Sequence, residues 1–293
     1  MSLTDNILRH LLKVSSEPDL AGTHYELVGV LGRGAMGVVY AVHDTQLQRN
    51  VALKVLHSGG LIEEEARIVA SLEHPGIVPI HETGTLADGR SYYTMRLVEG
   101  QSLDVHFTAA TPLSERLRVF QKICETVAFA HNRGVLHRDL KPRNIMAGPF
   151  GEVVILDWGI ARKAAEPERP GVVAGTPTFM APEVAAGDSH LADHRADIFS
   201  LGALLEFSVP ASGPRPLRAI AAKAMSERAE DRYADARELN REIGRFLDGE
   251  AVLAYRESAL EKLGRLASRN STLLLLLAAY VAARLFLFFL RQR

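Results

Sequence analysis

Cysteine is almost missing from this chain: Cys124 stands alone, so no intrachain disulfide can staple the fold. It falls on the apolar side of a helical pattern, which reads as core packing in a reducing compartment. An excess of one charge is missing too. With 34 basic against 35 acidic residues the formal net charge is -1, and there is no overall basic field of the kind nucleic-acid binders use. Nucleic acid is therefore not an expected partner. The first twenty residues lack the layout of a secretory leader, because Asp5, Arg9, His10 and Lys13 interrupt every apolar run. The N-terminus is expected to stay in the cytoplasm. Internal repeats are absent as well. The histidines offer His190 and His194 at i, i+4 spacing but no third ligand, so both read as surface residues rather than a zinc site.

What is present suits one large or two smaller globular units, with 47% hydrophobic and 24% charged residues. One long apolar run stands apart at the C-terminal end. From Ser271 to Leu290 only Arg284 breaks it, and that length matches the roughly 30 Å hydrocarbon layer of a bilayer. A transmembrane helix is expected over 271–290, with Arg284 close enough to its end to snorkel. Lys262, Arg265 and Arg269 precede it and Arg291 and Arg293 follow, so flanking charge alone does not orient it. Near the other end, Ile7, Leu8, Leu11 and Leu12 share a helical face behind Thr4 and Asp5, as a lid on the domain or a docking helix.

Between these ends the periodicity changes once. Tyr25 to Leu56 alternates apolar and polar positions around a glycine cluster, predicting three successive strands. Leu61 to Leu72 is acidic and then apolar at helical spacing. Gly76 to Val98 returns to strand-like runs, with the turn signal Ala87-Asp88-Gly89 between them. From Pro112 to Gly134, Leu117, Phe120, Cys124, Val127 and Ala130 recur at helical spacing, with the proline in a favourable first-turn place and the glycine as a stop. The remainder reads as mainly helical.

Four strings carry chemistry. Gly32-Arg33-Gly34-Ala35-Met36-Gly37 is a G-x-G-x-x-G pattern whose backbone amides can approach phosphate oxygens. Because Val38-Val39-Tyr40-Ala41-Val42 after it is strand-like, a phosphate-covering hairpin is favoured over a dinucleotide-binding turn, which would open a helix there. Val51-Ala52-Leu53-Lys54 delivers a lysine suited to the α- and β-phosphates, and Glu65 on the predicted helix is placed to pair with it. In His137-Arg138-Asp139-Leu140-Lys141-Pro142-Arg143-Asn144, Asp139 suits a base for an attacking hydroxyl. Lys141 suits a transferring phosphoryl group, and Asn144 offers an oxygen to a metal. Asp157-Trp158-Gly159 then sets a carboxylate after the apolar strand Val153 to Leu156, suited to hold Mg²⁺.

In this order and spacing the strings resemble the protein kinase family from about Tyr25 to about Leu247, together with Ala181-Pro182-Glu183. Lys141 and Gly175-Thr176-Pro177 look like the serine/threonine branch, and the surrounding style looks like bacterial kinases of that class. The resemblance implies an α+β bilobal kinase-like fold: a small β-sheet N-lobe with one main helix over 24–98, and a mainly helical C-lobe over 99–250, shortened after Gly202. An N-terminal extension (1–23), a juxtamembrane connector (251–270) and the transmembrane helix complete the expected layout. ATP and Mg²⁺, with Mn²⁺ as a substitute, are the implied cofactors. Leu31, Gly32, Gly34, Gly37, Val39, Ala52, Lys54, Glu65, Met95, Val98 and Met146 would surround the nucleotide, with Met95 as gatekeeper. Asp139, Lys141, Asn144 and Lys54 would be catalytic, and Asn144 and Asp157 would bind metal. Asp197 would brace the catalytic loop, Glu183 would pair with Arg232, and Val69, His137 and Trp158 would stack as an internal spine.

Three departures from the family pattern stand out. Trp158 replaces the usual phenylalanine. The segment from Ala161 to Gly175 holds no serine or threonine, with Val172 about where the family carries its phosphothreonine, so activity independent of phosphorylation there is expected. The interval from Gly202 to Arg232 is short, as though the substrate-docking helix were missing. The leading expectation is an active kinase acting on Ser/Thr of proteins. The alternative is a pseudokinase-like scaffold that binds ATP or a partner with little transfer. ATP requires the kinase domain to face the cytosol, as a single-pass membrane protein with nothing beyond the anchor to act as an external sensor. A homodimer is compatible with this reading.

Overall fold

The computed structural model describes residues 17–34, 37–56, 62–158, 162–163, 177–187, 193–210 and 212–269, with short pieces at 275–276, 279–284 and 287–288. The expected features at 1–16, the turn at Ala35-Met36, most of the segment from Gly159 to Thr176, and His190 lie outside the described residues.

The alternating stretch folds into β1 (Tyr25–Arg33), β2 (Gly37–Asp44) and β3 (Arg49–Leu56), and the next strand-like region into β4 (Ile80–Thr85) and β5 (Ser91–Arg96). They form one antiparallel sheet in the order β1-β2-β3-β5-β4. Helix α1 (Ile62–Ala70) precedes β4 in the chain and packs against β4 and β5. One sheet face closes over Tyr25, Tyr40, Val42, Leu53 and Tyr92. The hydroxyl of Tyr25 donates to Glu82 Oε1 at 2.8 Å, so this phenol at the edge of the core is not left unsatisfied.

The second lobe is helical. After the two-residue strand β6 (Gln101–Ser102) come α2 (Leu103–His106) and α3 (Leu113–Asn132), then short strands β7 (Val135–Leu136), β8 (Ile145–Ala147), β9 (Val153–Ile155) and β10 (Arg162–Lys163). The stripe Leu117, Phe120, Cys124, Val127 and Ala130 is wholly buried in the main core, as the 3.6-residue spacing requires. Pro112 stands one residue earlier than the periodicity suggested, at the N-cap. The chain continues through α4 (Pro182–Ala185), α5 (Arg195–Ser208), α6 (Arg215–Ala224), α7 (Ala236–Leu247) and α8 (Ala259–Arg269).

The passage after Gly202 is direct. Val209 to Pro214 joins α5 directly to α6, with Gly213 N donating to Pro210 O at 2.7 Å to close the turn. The two helices then cross so tightly that a side chain at Gly202 would put its Cβ 2.7 Å from Cβ of Ala224. Arg116 on α3 locks the same region from the other side: its guanidinium donates to the carbonyls of Thr111 (3.1 Å), Ser208 (3.2 Å) and Thr108, and lies over the Phe107 ring.

Among the described residues no helix is long and apolar enough to cross a membrane. Of the run 271–290, only the three short pieces are described, all helical, with Leu275, Leu276, Tyr280, Val281, Leu287 and Phe288 exposed.

Candidate active site

The cleft between the lobes is built from β-strand ends on one side and an irregular loop on the other. Register places Ala52 opposite Met95 and Val39 opposite Lys54, so the strands turn these side chains toward one shared patch. Ala52 and Met95 are buried there with Val78, Tyr93 and Val154, and Val39, Val98 and Leu156 pack against them. Leu31 on β1 is half exposed, and Met146 sits on β8 opposite Val154. Both lie outside that cluster. At the hairpin, Gly34 N donates to Gly37 O at 2.9 Å. Gly37 has to be glycine, since a Cβ would lie 2.2 Å from Val55 O across the sheet, whereas Gly32 meets nothing nearby.

The irregular loop is fixed from below by a buried carboxylate. Asp197, in the first turn of α5, accepts from His137 N and Arg138 N, each at 2.8 Å, and its Oδ2 is also 2.8 Å from His131 Nε2. Burial alone would raise its pKa, but the bonds to His131 and the loop backbone outweigh this and hold it below the ordinary aspartate value. Two backbone amides held by one side chain impose the turn at Arg138, whose φ of 70° is unusual for a residue with a Cβ. His131 is a member of this brace that the sequence reading missed, because an isolated histidine near a helix end carries no signal of a partner 66 positions away.

Above the brace, Asp139 takes a bond from Lys141 Nζ at 2.5 Å and from Asn144 Nδ2 at 3.1 Å. Asn144 Nδ2 also donates to the Asp139 carbonyl at 2.8 Å, so its amide nitrogen is committed and its oxygen is the remaining acceptor. Leu156 N donates to Asn144 O at 2.7 Å, which brings the next residue, Asp157, to the same place. Asp157 lies 2.9 Å from Lys54 Nζ, its φ is 59°, and its side chain is 44% exposed. Partial burial pushes its pKa up, but the Lys54 ammonium pulls it down further, leaving it below the usual aspartate range. Lys54, Asp139, Asn144 and Asp157, spread over more than a hundred positions, thus come together: Lys54 bonds Asp157, Asn144 bonds Asp139, and the Leu156–Asn144 backbone bond joins the two pairs. The side chain of Glu65 falls outside the described residues, and with it the expected Lys54–Glu65 pair.

Trp158 fits. Its indole is buried in the main core, stands 4.6 Å from the His137 ring, and donates from Nε1 to Ile155 O at 3.2 Å. Phenylalanine would make the ring contact without that bond. His137 itself is kept neutral by burial, which lowers its pKa. Further out, Arg232 and Glu183 form a bidentate pair, both contacts at 2.7 Å. His194 Nε2 lies 2.7 Å from Ala234 O, and no group of three metal-ligating side chains occurs among the described residues.

Residues 25–248 match the protein kinase domain. The chain belongs to the protein kinase family. It is 34% identical over 312 aligned positions to the serine/threonine-protein kinase PknD of Chlamydia trachomatis serovar D, covering 81% of this chain and 33% of that protein. It is 40% identical over 227 positions to PknD of Chlamydia muridarum (62% of this chain, 24% of that one). With PknD of Protochlamydia amoebophila it shares 33% over 299 positions (77% and 30%). The chain therefore spans a third or less of the length of these relatives.

Proposed function

We propose that this chain transfers the γ-phosphoryl group of ATP to serine or threonine hydroxyls of protein substrates. The observation that carries the proposal is the convergence of Lys54, Asp139, Asn144 and Asp157. Asp157 is held ionised by Lys54, and Asn144 is turned so that its oxygen faces away from Asp139. An anionic and a neutral oxygen donor side by side suit a hard divalent cation, so these two residues would hold Mg²⁺, with Mn²⁺ as a substitute. Bound there, Mg²⁺ would supply neutralisation of phosphate charge.

The remaining chemistry belongs to the chain. Asp139 accepts the proton of the attacking hydroxyl as the new bond from its oxygen to the γ-phosphorus forms and the bond to the β–γ bridging oxygen breaks, releasing ADP. Lys141 and Lys54 offset the charge spread over the phosphoryl oxygens. The Ala52, Met95, Val39 and Val98 patch takes the adenine base, with Leu31 and Met146 bordering it and the Gly32-to-Gly37 hairpin covering the phosphates. The names of the bacterial relatives support a serine/threonine acceptor. The apolar composition of 271–290 supports a single-pass anchor with the kinase domain facing the cytoplasm, where ATP is found.

The test is phosphate transfer by the full chain from ATP to a mixed Ser/Thr protein substrate with Mg²⁺. Asp139→Asn is expected to lower kcat by about 10²–10⁴-fold, the usual contribution of a positioned base, with ATP affinity within about threefold of the parent. ATP binding without transfer by the parent would overturn the proposal.

A further inference from the structure

A helix on the surface of a water-soluble domain turns its apolar side inward. Helix α8 does the reverse. Its domain-facing side is polar: Arg265 grips Glu257 through Nε at 2.7 Å and Nη2 at 3.0 Å and reaches the Gly249 carbonyl at 3.4 Å. Glu261 accepts from the Tyr255 hydroxyl at 2.8 Å and lies 3.8 Å from Arg215. On the other side, Leu260, Leu263 and Leu266 are exposed by 82%, 66% and 42%. At about 100° per residue the leucines centre roughly 180° from Glu261 and Arg265.

This is not a frayed tail. Ser258 and Glu261 cap the first turn, with Ser258 N and Oγ each 2.8 Å from Glu261 Oε2. Just upstream, Val252 is buried in the main core and Ala254 N donates to Glu242 Oε2 at 2.9 Å. The helix is therefore held to the catalytic lobe by its polar side, and its leucine side is presented outward. Beyond Arg269 the chain enters the run 271–290, whose only charge is Arg284 and whose described pieces also expose apolar side chains. Lys262 is exposed on the flank of the stripe.

We propose that the leucine face of α8 is a bilayer-docking surface. Leu260, Leu263 and Leu266 seat at the boundary between headgroups and acyl chains, with Lys262 among anionic headgroups. Because α8 reaches the lobe through Arg265 on the Gly249 carbonyl, Glu261 beside Arg215, and Tyr255, which packs on the main core and donates to Glu261, this seat also fixes how the catalytic lobe stands relative to the membrane. The inference rests on the reading of 271–290 as an anchor.

The experiment uses the full chain in vesicles of phosphatidylcholine and phosphatidylglycerol, with a nitroxide on Leu263→Cys and, as a water-exposed control, on Phe150→Cys at a turn tip. Native Cys124 is buried and stays unlabelled. Flotation reports whether the anchor holds. Relaxation of the label by lipid-dissolved oxygen against a water-soluble nickel chelate reports where residue 263 sits. Flotation with the 263 label favouring oxygen and the 150 label favouring nickel is the expected result. Flotation with both labels favouring nickel overturns the docking face and leaves the anchor standing. Failure to float overturns both. Disulfide coupling of two Leu263→Cys chains at the expense of oxygen contact would show a second copy on that face and overturn the proposal as well.

Discussion

Arg232 and Lys54 are both basic side chains taken out of water against a carboxylate, yet their surroundings differ. Arg232 is fully enclosed. Its donors are used by Glu183 in two parallel bonds and by the carbonyls of Ser226, Arg195 and Glu227 at 2.9 to 3.1 Å, with the Phe199 ring beneath. Lys54 is also buried, but the side chain of its partner Asp157 stays nearly half exposed. In the first pair Arg232 is closed off and Glu183 is only 19% exposed. The second is open on one side, as a pair that must accept phosphate and metal has to. Burial of a charge by itself therefore says little about function; what separates the two is how far the acidic partner is exposed.

Breaking each pair in turn sharpens the contrast. Arg232→Ala is expected to cost about 3–5 kcal/mol of unfolding free energy in a denaturant titration, because Glu183 is left without its counter-charge and three carbonyls lose their donor. Arg232→Lys restores little of it, since an ammonium cannot make the parallel bonds. Lys54→Met should lower kcat by about 10²–10³-fold, roughly 2.7–4 kcal/mol in the transition state, while the denaturation midpoint moves much less than for Arg232→Ala. Equal destabilisation by both variants would erase the distinction.

Acidification gives a further contrast. The carboxyls of Asp197 and Asp157 have folded-state pKa values below their unfolded ones, so their stabilisation is present above about pH 4 and lost as pH falls through the depressed values. His137, kept neutral by burial, also contributes above about pH 6.5 and loses that contribution below it. Melting temperature is thus expected to fall on acidification, first below about pH 6.5 and again below about pH 4. Asp197→Asn should flatten the lower step and lower the melting temperature near neutrality. The smallest expected effect is that of Trp158→Phe, which keeps the ring beside His137 but removes the bond to Ile155 O: about 0.5–1.5 kcal/mol of stability, read from the denaturation midpoint.

Much of this architecture was legible in the residues, because the signals were local. Alternation over Tyr25 to Leu56 marks three strands, five apolar positions mark the buried side of α3, and the short interval from Gly202 to Arg232 marks the abrupt passage from α5 to α6. The catalytic strings were legible as strings. What they omit is the set of bonds between distant elements: His131 to Asp197, Asn144 Nδ2 to Asp139, the Trp158 indole to Ile155, and the guanidinium of Arg116 against the end of α5. Each depends on how the chain folds back on itself, and periodicity along one element carries no trace of it. The inverted polarity of α8 was hidden for a related reason: an amphipathic pattern shows that a helix has two faces without showing which one meets the domain.

The grip of Arg116 on Ser208 has a consequence for the far end of its helix. A helix carries partial positive charge at its start and partial negative charge at its end. α5 carries the anionic Asp197 in its first turn and ends on the cationic Arg116, so a buried charge of the opposite sign stands at each pole of its dipole. The carboxylate that shapes the catalytic loop is thereby part of an electrostatic alignment about 20 Å long, at 1.5 Å per residue, whose other terminus never approaches the reacting groups.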